Sequence, residues 1–163
     1  MTIRFLDPLA DDASALAYVA SSFAFGQAVG AFPLDRDGPT GGECCVLAVT
    51  QWQTPIGFAT FYETGHGKAW IDLVWVEGAY RGKGLGKKLL AAARREAANM
   101  ALTRLEFGTQ LDNAAMRGLA ASVGYCERYT IMSLDVGEGE SIRNRTVGAG
   151  RASLGYDENW GTE

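Results

Sequence analysis

The residues best suited to chemistry lie in one short segment, 81–88, which reads Arg-Gly-Lys-Gly-Leu-Gly-Lys-Lys. Glycine occupies every second position from Gly82 to Gly86, and four of the eight residues are basic. Glycines lack the Cβ atoms that would keep an anion away from the backbone N–H groups. A helix that follows such a turn adds the attraction of its positive dipole end. The segment therefore predicts an anion-binding turn, and a merely flexible turn is the less favoured interpretation.

Two widespread phosphate-binding motifs do not fit this segment. A P-loop requires glycine at the position of Arg81 and Ser or Thr after Lys87, but the next residue is Lys88. A dinucleotide-binding Gly-x-Gly-x-x-Gly turn would place its third glycine at Lys87 or Leu89. That turn also belongs to a parallel crossover unit, whereas the strands before Arg81 are predicted to be antiparallel. Both motifs are therefore excluded.

The net charge of −4 is unevenly distributed along the 163 residues. Residues 1–80 carry nine acidic and three basic side chains, whereas six of the chain's fifteen basic residues lie between Arg81 and Arg95. A local basic cluster in an acidic protein favours a small anionic ligand, because a nucleic-acid backbone requires a broad basic face. We therefore expect no nucleic-acid partner, and a solvated helix face is the other interpretation of the cluster.

The few cysteine and histidine residues argue against a metal site. Cys44 and Cys45 are adjacent on a predicted strand, so their side chains point to opposite faces, and Cys126 stands alone. His66 is the only histidine. No apolar run approaches the ~18–20 residues needed to span a bilayer, and the acidic N-terminus does not resemble a signal peptide. We expect no metal, no membrane association and a cytoplasmic location.

Hydrophobic patterning predicts one α+β domain with the element order β–α–loop–β–β–β–α–β–α–β. The chain has the length of a single domain, which we assign to residues 1–136. The Gly-rich segment 137–163 is either a flexible tail or a segment that docks on a partner, so a homodimer remains open. The predicted strands are 2–6, 43–50, 54–62, 68–76, 102–108 and 125–136, and the predicted helices are 11–24, 87–100 and 113–123, with a loop over 26–42.

The context of the Gly-rich segment resembles that of a known family. Arg-Gly-x-Gly-x-Gly follows a strand ending in Val-x-Val at residues 74–76, which resembles the acyl-CoA-binding motif of the GNAT (N-acetyltransferase) superfamily. A weaker second element is Asn113, followed by Gly124 and Tyr125. The resemblance extends from about residue 68 to residue 134. It implies a GNAT-like mixed, mainly antiparallel twisted sheet, flanked by helices and splayed between its central strands.

The same resemblance implies that acetyl-CoA (coenzyme A) is the co-substrate. The backbone amides of Arg81–Gly86 would hold its pyrophosphate, and Val74 and Val76 would pair with the pantetheine arm. An amide near Val74 would polarise the thioester carbonyl. Asn113 would contact the pantetheine or order the acceptor side. The implied cofactor-binding residues are Val74, Val76, Arg81, Gly82, Lys83, Gly84, Leu85, Gly86, Lys87 and Asn113.

The implied reaction is direct attack of a primary amine, on a small molecule or a peptide, on the acetyl group. Such an amine has a pKa near 10.4, so its deprotonation at pH ~7 costs about 4 kcal/mol, and a general base would help. The common position of the family's base corresponds to Trp70, which cannot serve. Asp72 shares that strand face and is the predicted base, although a solvent-facing Asp is nearly as good an interpretation. His66 and Glu63 should lie at the other end of the strand.

The family's usual general acid, a tyrosine seven residues after the asparagine, is replaced by Ala120. Protonation of the leaving thiolate is left to Ser122, Tyr125, Tyr129 or water, and Tyr125 also suits a core position. A thiolate leaves readily, so catalysis without an acid is plausible. The departures at Trp70 and Ala120 keep a second interpretation open, namely an acyl-CoA-binding module or sensor without turnover.

The acceptor site is predicted between the first helix, the Gly-rich loop that follows it and the last strands. Asp35 and Asp37 in this loop favour a cationic amine, although such charges also suit a solvated surface. Phe23, Phe25 and Phe32 either line an apolar cleft or pack into the core.

Overall fold

The computed structural model describes residues 1–34, 36–110 and 112–127 of the chain. Within these residues five strands and three α-helices follow one another in the predicted order, and helices pack on both faces of the sheet. The elements are β1 (Thr2–Leu6), α1 (Ala13–Ala28), β2 (Cys44–Val49), β3 (Pro55–Gly65), β4 (Lys68–Val76), α2 (Leu85–Asn99), β5 (Arg104–Glu106) and α3 (Ala114–Ser122), with 3-10 turns at Leu9–Asp11 and Gly78–Tyr80.

The largest boundary difference lies at the end of the first helix. Asp12 caps α1 by accepting a hydrogen bond from the Ala15 N–H (3.0 Å). The helix then continues through Gly26 to Ala28, so the prediction of a loop from residue 26 is wrong. Gly26 lies within α1 and does not end it. A Cβ at this position would collide with the Phe32 ring. The glycine instead makes room for an aromatic side chain.

The last strand of the described sheet is shorter than predicted. Leu102 N–H donates to the Ala97 carbonyl (2.9 Å) and closes the turn after α2, and Thr103 N–H donates to the carbonyl of Gly67 in the β3–β4 turn (2.7 Å) before β5 begins. The predicted strand 125–136 lies mostly outside the described residues, and residues 125–127 are not in a strand. The domain boundary at residue 136, the tail 137–163 and Tyr129 also lie outside the described residues.

The sheet has the order β1-β2-β3-β4-β5 and is antiparallel except for its last pair. β5 runs parallel to β4 and pairs only with its first three residues, from Lys68↔Arg104 to Trp70↔Glu106. Residues 71–76 of β4 therefore have no partner strand on the β5 side among the described residues. We call this stretch the open edge of β4. The mixed, mainly antiparallel and splayed sheet that the sequence resemblance implies is confirmed.

A β-bulge at Asp72 interrupts the pairing of β4 with β3. Thr60 pairs with Leu73 and Phe61 pairs with Ile71, so Asp72 is the extra residue on β4. The bulge reverses the alternation of side chains along the strand. Ile71 belongs to the core beneath α2, whereas Leu73 and Trp75 belong to the core beneath α1.

Two hydrophobic cores lie on the two faces of the sheet. On one face, α2 packs with Leu89 and Ala93 against β2, β3 and β4. On the other face, α1 packs with Val19 and Phe23 against the same strands. Cys44 belongs to the α2 core and Cys45 to the α1 core, as their adjacent positions on β2 predict.

None of the described helices is long and apolar enough to cross a membrane. In the described ranges, His, Cys, Asp and Glu side chains do not form a group of three or more that could hold a metal ion.

Candidate active site

The Gly-rich segment forms an open turn that leads into the first turn of α2. Gly82 (φ +71°) and Gly84 (φ +77°) adopt the left-handed conformation that favours glycine, and a Cβ at either would meet no atom within 4 Å. Gly86 differs, because a Cβ there would lie 3.0 Å from Leu119 of α3. Leu85 is buried and anchors the turn in the core. Two glycines therefore shape and uncover the turn, and the third allows α2 and α3 to pack closely.

The N-terminus of α2 has unsatisfied positive character. Its N-cap, Gly84, offers no side-chain acceptor, and no acidic residue lies in the first turn. The first N–H groups of a helix have no partner within the helix. Lys87 and Lys88 are exposed in the same turn, where positive charge is unfavourable next to the helix dipole. An anion bound at this turn would stabilise both the N–H groups and the lysines.

The side chain of Arg81 folds back over the end of β4, and that of Lys83 folds back over the 3-10 turn Gly78–Tyr80. Arg81 Nε donates to the Val76 carbonyl (2.8 Å), and its Cζ lies 4.8 Å from the centre of the Trp75 ring. Lys83 Nζ donates to the Ala79 carbonyl (2.8 Å). The two side chains thus border the turn, while its backbone remains open.

The peptide groups of Val74 and Val76 point away from β3. Glu77 N–H donates to the Ile56 carbonyl of β3 (3.0 Å), and Leu73 N–H donates to Thr60 Oγ1 (3.2 Å). Because successive peptide groups of a strand point in opposite directions, the N–H and C=O groups of the two valines lie on the open edge of β4. The edge therefore offers hydrogen bonds to an extended ligand that leads to the Gly-rich turn.

Asp72 projects towards α1 and forms an ion pair with Arg36. Arg36 Nη2 donates to Asp72 Oδ1 and also to the Asp72 backbone carbonyl. Burial raises the pKa of Asp72 above its usual value, and the Arg36 guanidinium opposes that shift. The predicted base thus lies on the α1 face, on the bulge beside the open edge, with a cation beside it.

The loop that carries Arg36 is held by two buried or half-buried side chains. Gln27 Nε2 donates to the carbonyls of Pro33 (2.9 Å) and Arg36 (3.1 Å). The buried Glu43 carboxylate accepts from Thr40 N–H (3.0 Å) and Gly41 N–H (2.9 Å). The loop is therefore fixed at both ends, which positions Arg36 over β4.

A second network joins α1 to the end of β4. The Tyr18 hydroxyl donates to Glu77 Oε1 (2.8 Å), and Trp75 Nε1–H donates to the same oxygen (3.1 Å). Burial raises the pKa of Tyr18, and the Glu77 carboxylate raises it further, so the phenol keeps its proton. The Trp75 ring is fixed in orientation, and its polar N–H is satisfied within the protein.

Aromatic side chains surround Trp75 on the α1 face. Phe25 meets its ring edge-on (centroids 6.0 Å apart, 82°), and Phe32 meets it at a tilt (5.9 Å, 48°). Phe23 stacks on Phe32 (5.5 Å) and is buried. The sequence left open whether these phenylalanines pack into the core or line an apolar cleft. Phe23 belongs to the core, whereas Phe25 is 58% exposed.

Comparison with known proteins agrees with this architecture. The model of the Acetyltransferase (GNAT) family matches residues 14–125. The chain belongs to this family. No curated protein sequence matches it significantly.

Solved acetyltransferase structures share the fold of this GNAT protein. One is an aminoglycoside acetyltransferase, meta-AAC0020, from an uncultured soil metagenomic sample, with 13% identity, TM-score 0.63 and coverage of 85% of this chain and 96% of the other. A ribosomal-protein-alanine N-acetyltransferase from Brucella melitensis biovar Abortus 2308 has 18% identity and TM-score 0.61, covering 83% and 99%. The aminoglycoside N-acetyltransferase AAC(6')-Iy in complex with CoA has 18% identity and TM-score 0.59, covering 82% and 98%.

Two other predicted site residues lie on the α3 side of this GNAT protein. Asn113 is the N-cap of α3, where its Oδ1 accepts from Met116 N–H (3.0 Å). Tyr125 packs edge-on against Phe107 (5.1 Å). Its buried hydroxyl has no hydrogen-bond partner among the described residues, and burial raises its pKa to about 12. Ala120 is buried in α3 and offers no proton.

His66 and Glu63 lie where the sequence places them, at the β3–β4 turn. His66 has φ +51° in this turn, which is at the end of β4 opposite to Val76. Neither residue lies near the Gly-rich turn.

Three residues of the site were missed by the sequence analysis. Tyr18, Arg36 and Glu77 are drawn together only by tertiary structure, since Arg36 lies 36 residues from Asp72 and Tyr18 lies 59 residues from Glu77. Only Glu77 had a local clue, because it is an acidic residue directly after a buried strand.

Proposed function

We propose that this GNAT protein transfers the acetyl group of acetyl-CoA to a primary amine of a small molecule or a peptide, by direct attack of the amine. The observation that carries the proposal is the open Gly-rich turn at the uncapped N-terminus of α2, joined to the open edge of β4. Its structural relatives include an acetyltransferase in complex with CoA and one that is named for the alanine it modifies.

The residues present suit a ligand with a diphosphate and an extended amide arm. The amides of residues 82–86 and the positive end of α2 would bind the diphosphate, and Lys83 and Lys87 would add charge at its rim. Val74 and Val76 would pair with the amide arm, for which the Arg81 side chain has to leave the Val76 carbonyl. The amide nitrogen of Asn113 would hydrogen-bond to the arm or to the acceptor.

The open edge would also orient the reaction. The Val74 N–H points away from β3 and can donate to the thioester carbonyl, where negative charge develops as the amine attacks. Coenzyme A supplies the activated acyl group and leaves as a thiolate, so the protein has only to place the amine and remove its proton.

Asp72 is the proposed acceptor of that proton. It lies on the β4 bulge next to Val74, and burial raises its pKa towards that of an effective base. Arg36, paired with this carboxylate, lowers its pKa and so favours its charged form. Tyr125 is protonated at neutral pH and could therefore donate a proton to the leaving thiolate. Its described contacts are with Phe107 and α2, and its role as the acid stays a prediction.

A binding and turnover experiment tests the proposal. Acetyl-CoA at ~100 times its Kd should stabilise the protein by about 2.7 kcal/mol, which raises Tm by roughly 5–11 °C for a domain of this size. Mass spectrometry of a panel of primary amines should then show products heavier by one acetyl group. Absence of any thermal shift would contradict the proposal at its first step.

A second candidate, an acyl-CoA-binding sensor without turnover, has two observations in its favour. The usual acid position holds the buried Ala120, and the predicted base is engaged by Arg36. A thermal shift with acetyl-CoA but no acetylated amine from a broad panel would favour the sensor over the enzyme.

A further inference from the structure

The Arg81 side chain contacts the end of the open edge of β4. Its Nε donates to the Val76 carbonyl (2.8 Å), which is one of the peptide groups that point away from β3. An extended ligand that pairs with this edge needs the same carbonyl, because strand-like pairing uses both the N–H and the C=O groups of the strand. The free protein therefore occupies part of its own proposed binding edge.

A second contact holds this side chain in place. Arg81 Cζ lies 4.8 Å from the centre of the Trp75 ring, which is the geometry of a cation–π contact. The ring is fixed in turn, because it is 6% exposed and its Nε1–H donates to Glu77 Oε1 (3.1 Å). The Tyr18 hydroxyl donates to the same oxygen (2.8 Å). A carbonyl and a fixed ring thus hold the guanidinium on the edge together.

These two contacts leave the charge of Arg81 without a counter-ion. The Val76 carbonyl and the Trp75 ring are both uncharged, and Arg81 forms no ion pair within the described ranges. Arg81 also directly precedes Gly82, the first residue of the open turn. A phosphate in this turn carries full negative charge and accepts two N–H groups of an arginine at once. It therefore competes with the neutral carbonyl for the guanidinium.

We infer that Arg81 is a latch on the open edge, which an anion bound at the Gly-rich turn releases. The inference rests on the proposed function and adds a donor specificity to it. A donor with a phosphate group frees the Val76 carbonyl for its own amide arm, whereas a donor without one has to break the Arg81 contacts unaided. The protein therefore prefers phosphate-bearing thioesters to truncated ones by more than the phosphate contacts alone provide.

Pantetheine and adenosine 3′,5′-bisphosphate test the latch as two separate parts of coenzyme A. The first has the amide arm without a phosphate, and the second has phosphates without the arm. Saturating bisphosphate should lower the Kd of pantetheine for the wild-type protein about five- to thirtyfold, because the arm no longer has to displace Arg81. Pantetheine should lower the Kd of the bisphosphate by the same factor. NMR titration measures both, and a pantetheine Kd that the bisphosphate leaves unchanged would overturn the latch.

Arg81→Ala removes the latch and leaves the peptide groups of the edge in place. It should bind pantetheine about five- to thirtyfold more tightly than the wild-type protein, and the bisphosphate should then change that Kd less than about twofold. Arg95→Ala is the matched control, because it removes the same charge from an exposed position on α2, where Arg95 pairs with Glu96. It should keep the wild-type Kd and the wild-type coupling. Unchanged or weaker pantetheine binding to Arg81→Ala, or an equal gain in both variants, would overturn the inference.

The two ligands also separate the inference from the proposed function. A wild-type protein that binds CoA but binds pantetheine no less tightly than Arg81→Ala has an edge without a latch, which overturns the inference alone. A protein that binds neither CoA nor the bisphosphate contradicts the proposed function. The pantetheine comparison needs no anion and is then still made. Tighter binding to Arg81→Ala supports Arg81 as the cover of the edge, and equal or absent binding overturns the inference as well.

Discussion

The Gly-rich turn and the α1 face of β4 are built in opposite ways. The turn is one continuous segment whose proposed ligand-binding groups are backbone amides, and Gly82 and Gly84 adopt left-handed φ angles in open space. The α1 face is assembled from side chains of α1, the loop after it and β4, which lie 36 to 59 residues apart. A backbone site tolerates different side chains around it, whereas a side-chain site changes with each substitution. We therefore expect the cofactor side of the site to tolerate substitutions and the acceptor side to be sensitive to them.

The largest effect is expected at the turn. Gly84→Glu places a carboxylate where the diphosphate would bind, and juxtaposed like charges cost several kcal/mol, so affinity for CoA should fall about 100-fold or more. Gly65→Glu is the matched control, because Gly65 also has a left-handed φ (+95°) with nothing within 4 Å of a Cβ, but is the last residue of β3. Calorimetry should show normal CoA binding in the control. Equal losses in both variants would mean that strain, not the site, is responsible.

Asp72→Asn tests the α1 face of β4. Loss of a general base should lower kcat by about 100-fold or more, while the Kd for CoA stays unchanged because the turn is intact. Product formation measured by mass spectrometry gives kcat, and calorimetry gives the Kd. Wild-type kcat at all pH values would remove Asp72 from the mechanism.

Arg36→Gln tests how the ion pair affects the pKa of Asp72. The guanidinium lowers the pKa of Asp72, whereas burial and the nearby Glu43 charge raise it. Removing Arg36 therefore raises that pKa, so the carboxylate is protonated at higher pH. The acidic limb of the kcat profile should move to higher pH while the rate on the plateau is retained. A limb that stays in place or moves to lower pH would show that Asp72 is not the titrating base.

The smallest effect is expected from one charge at the rim of the turn. Lys87→Gln should weaken CoA binding only two- to fivefold or so, as is typical of an exposed ion pair, and should reduce its salt dependence. Arg95→Gln, on the same helix and paired with Glu96, is the control. If both substitutions weaken binding equally, the net charge of the protein rather than the turn attracts the ligand.

The same contrast explains what the sequence could predict. The Gly-rich turn and β4 were predictable because their signals are local, in glycine spacing and apolar alternation, whereas the splayed sheet followed only from the resemblance to the GNAT family. The bulge at Asp72 was not predictable, because it depends on how β3 and β4 pair. Gly26 misled the prediction of α1, since its role is to accommodate a ring from six residues further along. Arg36 and Tyr18 acquire their partners only when α1 and its loop fold over β4.

A crystal structure of the protein with CoA tests the central claim most directly. We predict diphosphate oxygens within hydrogen-bond distance, about 2.7–3.2 Å, of backbone nitrogens in residues 82–86. The pantetheine arm should pair with Val74 and Val76, with the Arg81 side chain displaced from the Val76 carbonyl. CoA bound elsewhere, with the turn and the open edge of β4 empty, would contradict the account.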